Sequence, residues 1–153
     1  MMMNDTTIVR VIGAEDQGVW QPLWTQYLAF YGTEVSNAVY TSTFQRILAG
    51  NNGDIREFRG ALVWQNGQAV GLVHYLFHRH NWKIEDVCYL QDLYVSADVR
   101  GSGLGRRLIE HVYDAADAFG ATSVYWLTQE HNKAGRRLYD RLAQKTDFVH
   151  YKR

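Results

Sequence analysis

Apolar and polar positions along the chain change period several times, and each change marks an element. β-Branched residues crowd Thr7 to Ile12, which predicts a short first strand that Gly13 ends. From Glu15 to Tyr31, Val19, Leu23, Tyr27 and Phe30 or Tyr31 recur at helical spacing. Pro22 is tolerable only near a helix start, so this helix is expected to begin close to Gln21 and to stop at Gly32. Ser36 and Asn37 can cap a second helix whose apolar positions, Val39 or Tyr40, Phe44, Ile47 and Leu48, run to Gly50. Ala61–Trp64 and Ala69–Phe77 read as antiparallel strands, because the Asn66-Gly67 pair between them is the strongest short hairpin signal.

Val87 to Val95 reads as a central strand, with Val87, Tyr89, Leu93 and Val95 on one apolar face and Cys88, Leu90 and Tyr94 on the other. Gln91 and Asp92 interrupt both faces. Leu104, Leu108, Val112, Ala115 or Ala116 and Phe119 form a helical stripe that Gly120 closes, and Thr122–Leu127 follows as another strand. Asn132 can cap a last helix carrying Ala134, Leu138 and Leu142, after which Phe148–Tyr151 reads as a final strand. The order β-α-α-β-β-β-α-β-α-β predicts an α/β fold on a mixed sheet: antiparallel strands first, then a right-handed crossover to a parallel strand.

Composition narrows the classes. A chain of 153 residues, 46% apolar and 21% charged with one Pro, is expected to form a single domain over residues 1–153. Its net charge of zero offers no general attraction to nucleic acid or an anionic membrane, and neither is expected as a partner. Cys88 stands alone and the six His show no zinc-like spacing, so no metal is expected. The start, MMMNDTTIVR, lacks the apolar core of a signal peptide, and no apolar run approaches the roughly 20 residues of a membrane span, which predicts a cytoplasmic protein.

Candidate chemistry enters at Arg100-Gly101-Ser102-Gly103-Leu104-Gly105-Arg106-Arg107, between the central strand and the next helix. Glycines there let backbone approach a ligand, and a helix start offers free N–H groups to an anion. A P-loop would need Gly-Lys-Ser/Thr where Gly105-Arg106-Arg107 stands, and a dinucleotide fingerprint would need Gly at Arg106 or Leu108. The segment is either a tight turn or an anion cradle, and the flanking arginines favour the cradle.

Arg100-x-x-Gly103-x-Gly105 resembles the acetyl-CoA pyrophosphate loop of the GNAT superfamily of N-acetyltransferases. Asn132-Lys133-Ala134-Gly135-Arg136-Arg137-Leu138-Tyr139 is similar to that family's later Asn and Ala-containing helix ending in Leu-Tyr. The resemblance spans roughly Ile8 to the C-terminus and is strongest from Tyr89 to Tyr139. It implies a mixed sheet of about six or seven strands flanked by about four helices. It further implies acetyl-CoA as cosubstrate on Arg100, Gly101, Ser102, Gly103, Leu104, Gly105, Arg106 and Asn132, with backbone N–H groups near Leu93, Tyr94 and Val95 facing the acetyl carbonyl. The stretches Tyr89–Val95 and Tyr125–Thr128 look closest to the small-amine branch, which includes polyamine acetyltransferases. Gln91 stands where that branch often has an acid, and Asp92 is its neighbour. A homodimer is also implied.

Acetyl transfer from a thioester to an amine needs a neutral nucleophile, donors for an oxyanion and a proton for the thiolate. Tyr139 is the candidate general acid, its alternative being an ordinary Tyr packed beside Leu138. Asp92, mid-strand among apolar neighbours, is costly to bury unpaired. Either it meets a substrate ammonium and serves through water as base, or it pairs internally with Arg or backbone N–H groups. His74, His78 and His80 are alternative bases. In the resembled family the first two helices border the acceptor pocket, which makes Trp24, Tyr31 and Glu34 candidate substrate contacts, although aromatics at helical spacing also build cores. Arg136, Arg137 and Arg141 form either a solvated face or a CoA phosphate contact. The leading reading is transfer from acetyl-CoA to a small primary amine in a ternary complex. The alternatives are acetylation of a protein lysine or N-terminus, and a non-catalytic acyl-CoA-binding regulator.

Overall fold

Residues 6–153 are described by a computed structural model. Strand β1 (Thr7–Val11) leads into α1 (Gln17–Phe30) and α2 (Asn37–Asn51), followed by β2 (Arg59–Gln65), β3 (Gln68–His78), β4 (Val87–Val95), α3 (Leu104–Phe119), β5 (Val124–Tyr125) and α4 (Lys133–Leu142). The five strands lie in sequence order, antiparallel from β1 to β4, with β5 parallel to β4. The protein is therefore a mixed α/β fold.

The β2–β3 hairpin turns on Asn66 and Gly67, whose φ values of 52° and 82° are the left-handed pair a tight two-residue turn requires. Ser36 caps α2 by accepting from the Val39 N–H. Helix α1 begins at Gln17, ahead of the expected Gln21, and tolerates Pro22 on its exposed side because only the Gly18 carbonyl loses its helical partner.

Two cores sandwich the sheet. On one face Leu62 and Leu72 meet Trp20, Leu23, Trp24 and Leu28 of α1 and Tyr40, Phe44 and Ile47 of α2. On the other, Ala61, Val63, Val73, Tyr75 and Leu90 meet Leu104, Leu108, Ile109, Val112 and Ala116 of α3, with Leu138 and Leu142 of α4 packed at its margin. Each buried aliphatic or aromatic side chain contributes about 1.5–3 kcal/mol.

The structure corrects three expectations. Strict alternation along β4 fails because His74 pairs with Asp92 while Tyr75 pairs with Leu90, leaving Gln91 as an extra, exposed residue. This bulge reverses the parity, so Leu90 and Leu93 both pack toward α3 while Asp92 turns toward α1. The strand expected over Thr122–Leu127 contracts to Val124–Tyr125. The final strand over Phe148–Tyr151 does not form: after α4 these residues run exposed, with no ladder partner among the described residues. Strand propensity without an adjacent backbone to bond is insufficient. The sheet thus has five strands, fewer than the six or seven expected.

Candidate active site

Strands β4 and β5 pair only at Cys88 with Val124 and Tyr89 with Tyr125. Beyond that point they separate, so Leu90 to Val95 has backbone unpartnered on its β5 side. A narrow cleft opens at this gap. Helix α1 contributes Tyr27 and Tyr31, one turn apart with rings 5.1 Å between centroids, and β4 contributes Leu90, Gln91 and Leu93. Trp126 and Leu127 after β5, and Tyr139 from α4, close the far wall. The Gln91 bulge in the β3–β4 register lies just past the last β4–β5 pair, and Gln91 lines the cleft.

Asp92 stands behind this wall rather than in it. Its carboxylate Oδ2 lies 2.8 Å from His74 Nδ1, and His74 Nε2 accepts from the Trp20 indole N–H at 3.0 Å. All three are buried, and His74 and Asp92 keep only 2% and 5% exposure. Burial disfavours the Asp92 anion, but the close contact with His74, with Tyr27 and Trp24 as neighbouring donors, outweighs it and holds the carboxyl below its ordinary 3.8. In return, burial and the adjacent Asp92 charge raise the Tyr27 phenol well above the usual range. Trp24 stacks on Trp20, and its indole N–H is buried near Asp92 without a hydrogen bond of good geometry. The internal pairing that the sequence left open for Asp92 is thus made with a histidine. No Arg or Lys among the described residues bridges it.

Tyr139 faces Trp126 edge-on at 5.5 Å, and burial, aided by Tyr31, pushes its phenol up to about 12. It is a protonated donor throughout the physiological range. Burial also raises Tyr31, against a lowering contact with Thr128.

The glycine turn has the features an anion needs. Gly101 and Gly103 hold φ of 84° and 82°, and nothing lies within 4 Å of where a Cβ would stand on either. Helix α3 has no side-chain cap on Gly103 and no acid in its first turn, so its leading N–H groups point outward without an internal acceptor. These open donors fit a pyrophosphate. The arginines are differently employed: Arg100 lies over Phe30 and Tyr94 and donates to the Val95 carbonyl, Arg106 pairs with Glu110 at 2.6 Å, and Arg107 donates to the Thr7 carbonyl. Ser102 Oγ donates to the Val99 carbonyl. Asn132 caps α4 through Gly135 and donates to Thr128 Oγ1 at 3.0 Å, fixing the helix that carries Tyr139.

The structure therefore brings Tyr31, Leu93 and Tyr139 to one cleft, places Asp92 and Trp24 just behind it, and sets Tyr94, Val95 and the glycine turn along the strand that leaves it. Glu34 is exposed in the loop after α1 and lines no part of the cleft. His78 bonds Tyr125 and His80 caps a loop turn at Trp82, so neither faces Asp92. Among the described residues no cluster of three His, Cys, Asp or Glu could hold a metal, and no helix is long and apolar enough to cross a membrane. The sequence singled out neither Gln91 nor Trp126 as a site residue, and Tyr27 only as one of the aromatics of the first helix that could hold a cation. Tyr27 carried a usable signal, standing one turn before Tyr31 on the same helical face.

Comparison with known proteins follows the same lines. A D-amino-acid N-acetyltransferase of Saccharomyces cerevisiae is 40% identical, covering 99% of this chain and 93% of its own length. An aminoglycoside N-acetyltransferase solved with CoA superposes with a TM-score of 0.83 at 16% identity over 100% of this chain and 97% of its own. A ribosomal-protein-alanine N-acetyltransferase from Brucella melitensis superposes at 0.73 with 20% identity, over 96% and 98%. The split sheet, the uncapped glycine turn and a match of residues 20–143 to the acetyltransferase (GNAT) family model agree, and the chain belongs to that family of N-acetyltransferases.

Proposed function

We propose that the protein transfers the acetyl group of acetyl-CoA to a primary amine of a small molecule, by direct attack in a ternary complex. The observation that carries the reading is the narrow aromatic cleft at the β4–β5 gap, backed by the buried Asp92 carboxylate. The outward N–H groups of Gly103 to Arg106 hold the pyrophosphate, and acetyl-CoA supplies the activated thioester. Unpaired main-chain N–H groups of β4 near Leu93 to Val95 face the negative charge that develops on the acetyl oxygen. Tyr139 gives its proton to the departing sulfur.

The acceptor enters from the side of Tyr27 and Tyr31. An alkylammonium is attracted by the Asp92 charge and by the aromatic faces, and must give up one proton before attack. Held below its ordinary value, Asp92 attracts the ammonium rather than taking its proton, which passes to solvent water before attack. The yeast relative supports a small amino compound as acceptor. Tyr139 and Asp92 together favour turnover over a regulator that only binds acyl-CoA. Assembly as a homodimer is part of the reading, supported by exposure of 80%, 73% and 90% at Phe148, Val149 and Tyr151, apolar residues that no strand among the described residues covers. Thiol release from acetyl-CoA in the presence of amines, amino acids, aminoglycosides and peptides tests the acceptor class.

A further inference from the structure

An indole nitrogen only donates. The 3.0 Å contact from Trp20 Nε1 therefore requires His74 Nε2 to present its lone pair, which places the ring proton on Nδ1. That proton points at Asp92 Oδ2, 2.8 Å away. An imidazolium would set two N–H groups against each other at Nε2, so the Trp20 contact selects the neutral ring. The His74–Asp92 pair then carries a net charge of minus one instead of forming a neutral ion pair.

The surroundings leave that charge uncompensated. Helix α1 presents Trp20, Trp24, Tyr27 and Tyr31, strand β3 presents His74, and Tyr89 stands on the same strand as Asp92. All are neutral donors or neutral rings. The nearest cationic partner the pocket can receive is the one a substrate brings.

We propose that His74, locked by Trp20 in its Nδ1–H form, is a positioning residue that keeps Asp92 ionised and directed at the Tyr27 side of the cleft, and that this buried unpaired anion selects an ammonium-bearing acceptor. The inference rests on the small-amine reading and deepens it. Were His74 only core filling, a Leu of similar bulk would replace it at the cost of stability alone.

Two readouts separate these roles. A long-range proton–nitrogen correlation spectrum of the wild-type protein at pH 7 should show His74 as the Nδ1–H tautomer, and Trp20→Phe should lose that single tautomer. His74→Leu should raise KM for the amine about tenfold while leaving KM for acetyl-CoA unchanged, measured per folded molecule by acetyl-CoA binding. His74→Asn places an amide N–H where Nδ1–H stood and should recover the amine KM to within about threefold of wild type. A wild-type ring that is Nε2–H or doubly protonated, or a His74→Leu variant with wild-type amine KM, overturns the proposal. If no amine is turned over at all, the acceptor reading fails by itself, and the tautomer spectrum still decides whether the lock exists.

Discussion

His74 and Asp92 are direct cross-strand partners on β3 and β4, and their side chains meet at 2.8 Å on the face covered by α1. The relation exists because the bulge at Gln91 turns Asp92 inward at the register position opposite His74. Asp92→Asn keeps the shape and removes the charge. It should raise KM for the amine or lower kcat about tenfold or more, with acetyl-CoA affinity unchanged. Amine kinetics with calorimetric acetyl-CoA titration checks this.

The same variant tests the linkage to stability. The folded Asp92 carboxyl lies below its ordinary 3.8, so the stabilisation it provides is complete above that value and is lost as pH falls through the folded value. The wild type should exceed Asp92→Asn by about 1–3 kcal/mol at pH 7. The gap in melting temperature should narrow below about pH 4. Lost stability with normal amine turnover per folded molecule would reduce Asp92 to a structural role.

Gly103 combines φ of 82° with open space where a Cβ would stand, at the head of α3. Gly103→Glu strains the turn and sets a carboxylate against the outward N–H groups. Acetyl-CoA binding should fall by two orders of magnitude or about 2.7 kcal/mol, read by calorimetry on the folded variant. Unchanged affinity would remove the turn from the cofactor site.

Tyr139, raised to about 12, stays protonated across the working range. Tyr139→Phe should lower kcat about 10²-fold with little change in acetyl-CoA binding. In the wild type, kcat should rise with pH as the amine loses its proton, and no decline assignable to Tyr139 should begin until pH approaches 12. Equal kcat in the variant, with chemistry shown to be limiting, would exclude Tyr139 as the acid.

Phe148, Val149 and Tyr151 are exposed outside any element, and β5 offers a short open sheet edge. Sedimentation at micromolar concentration should give about twice the 17.7 kDa chain mass, and removal of residues 147–153 should give the monomer. A monomeric full chain would refute the dimer.

What the sequence made legible was local. The hairpin at Asn66-Gly67, the Ser36 and Asn132 caps and the glycine turn each depend on a few adjacent residues, and each is present. The pairing of His74 with Asp92 was hidden because residues 79–86, a loop without a fixed turn geometry, separate β3 from β4 and leave their register open. The Gln91 bulge then inverted the face on which Asp92 was expected, and with it the depth of the carboxylate behind Tyr27. The strand expected at Phe148–Tyr151 shows the opposite limit, since β propensity carries no information on whether a partner strand is within reach.

The central claim is acetyl transfer to a small amine, and steady-state thiol release from acetyl-CoA tests it most directly. Purified protein should release thiol with small primary amines, amino acids of both configurations included, and mass spectrometry should find the acceptor heavier by one acetyl group. Peptide lysines and peptide N-termini should give little or no release. Tight acetyl-CoA binding with no acceptor-dependent release across the panel, or release with peptides alone, would contradict the account.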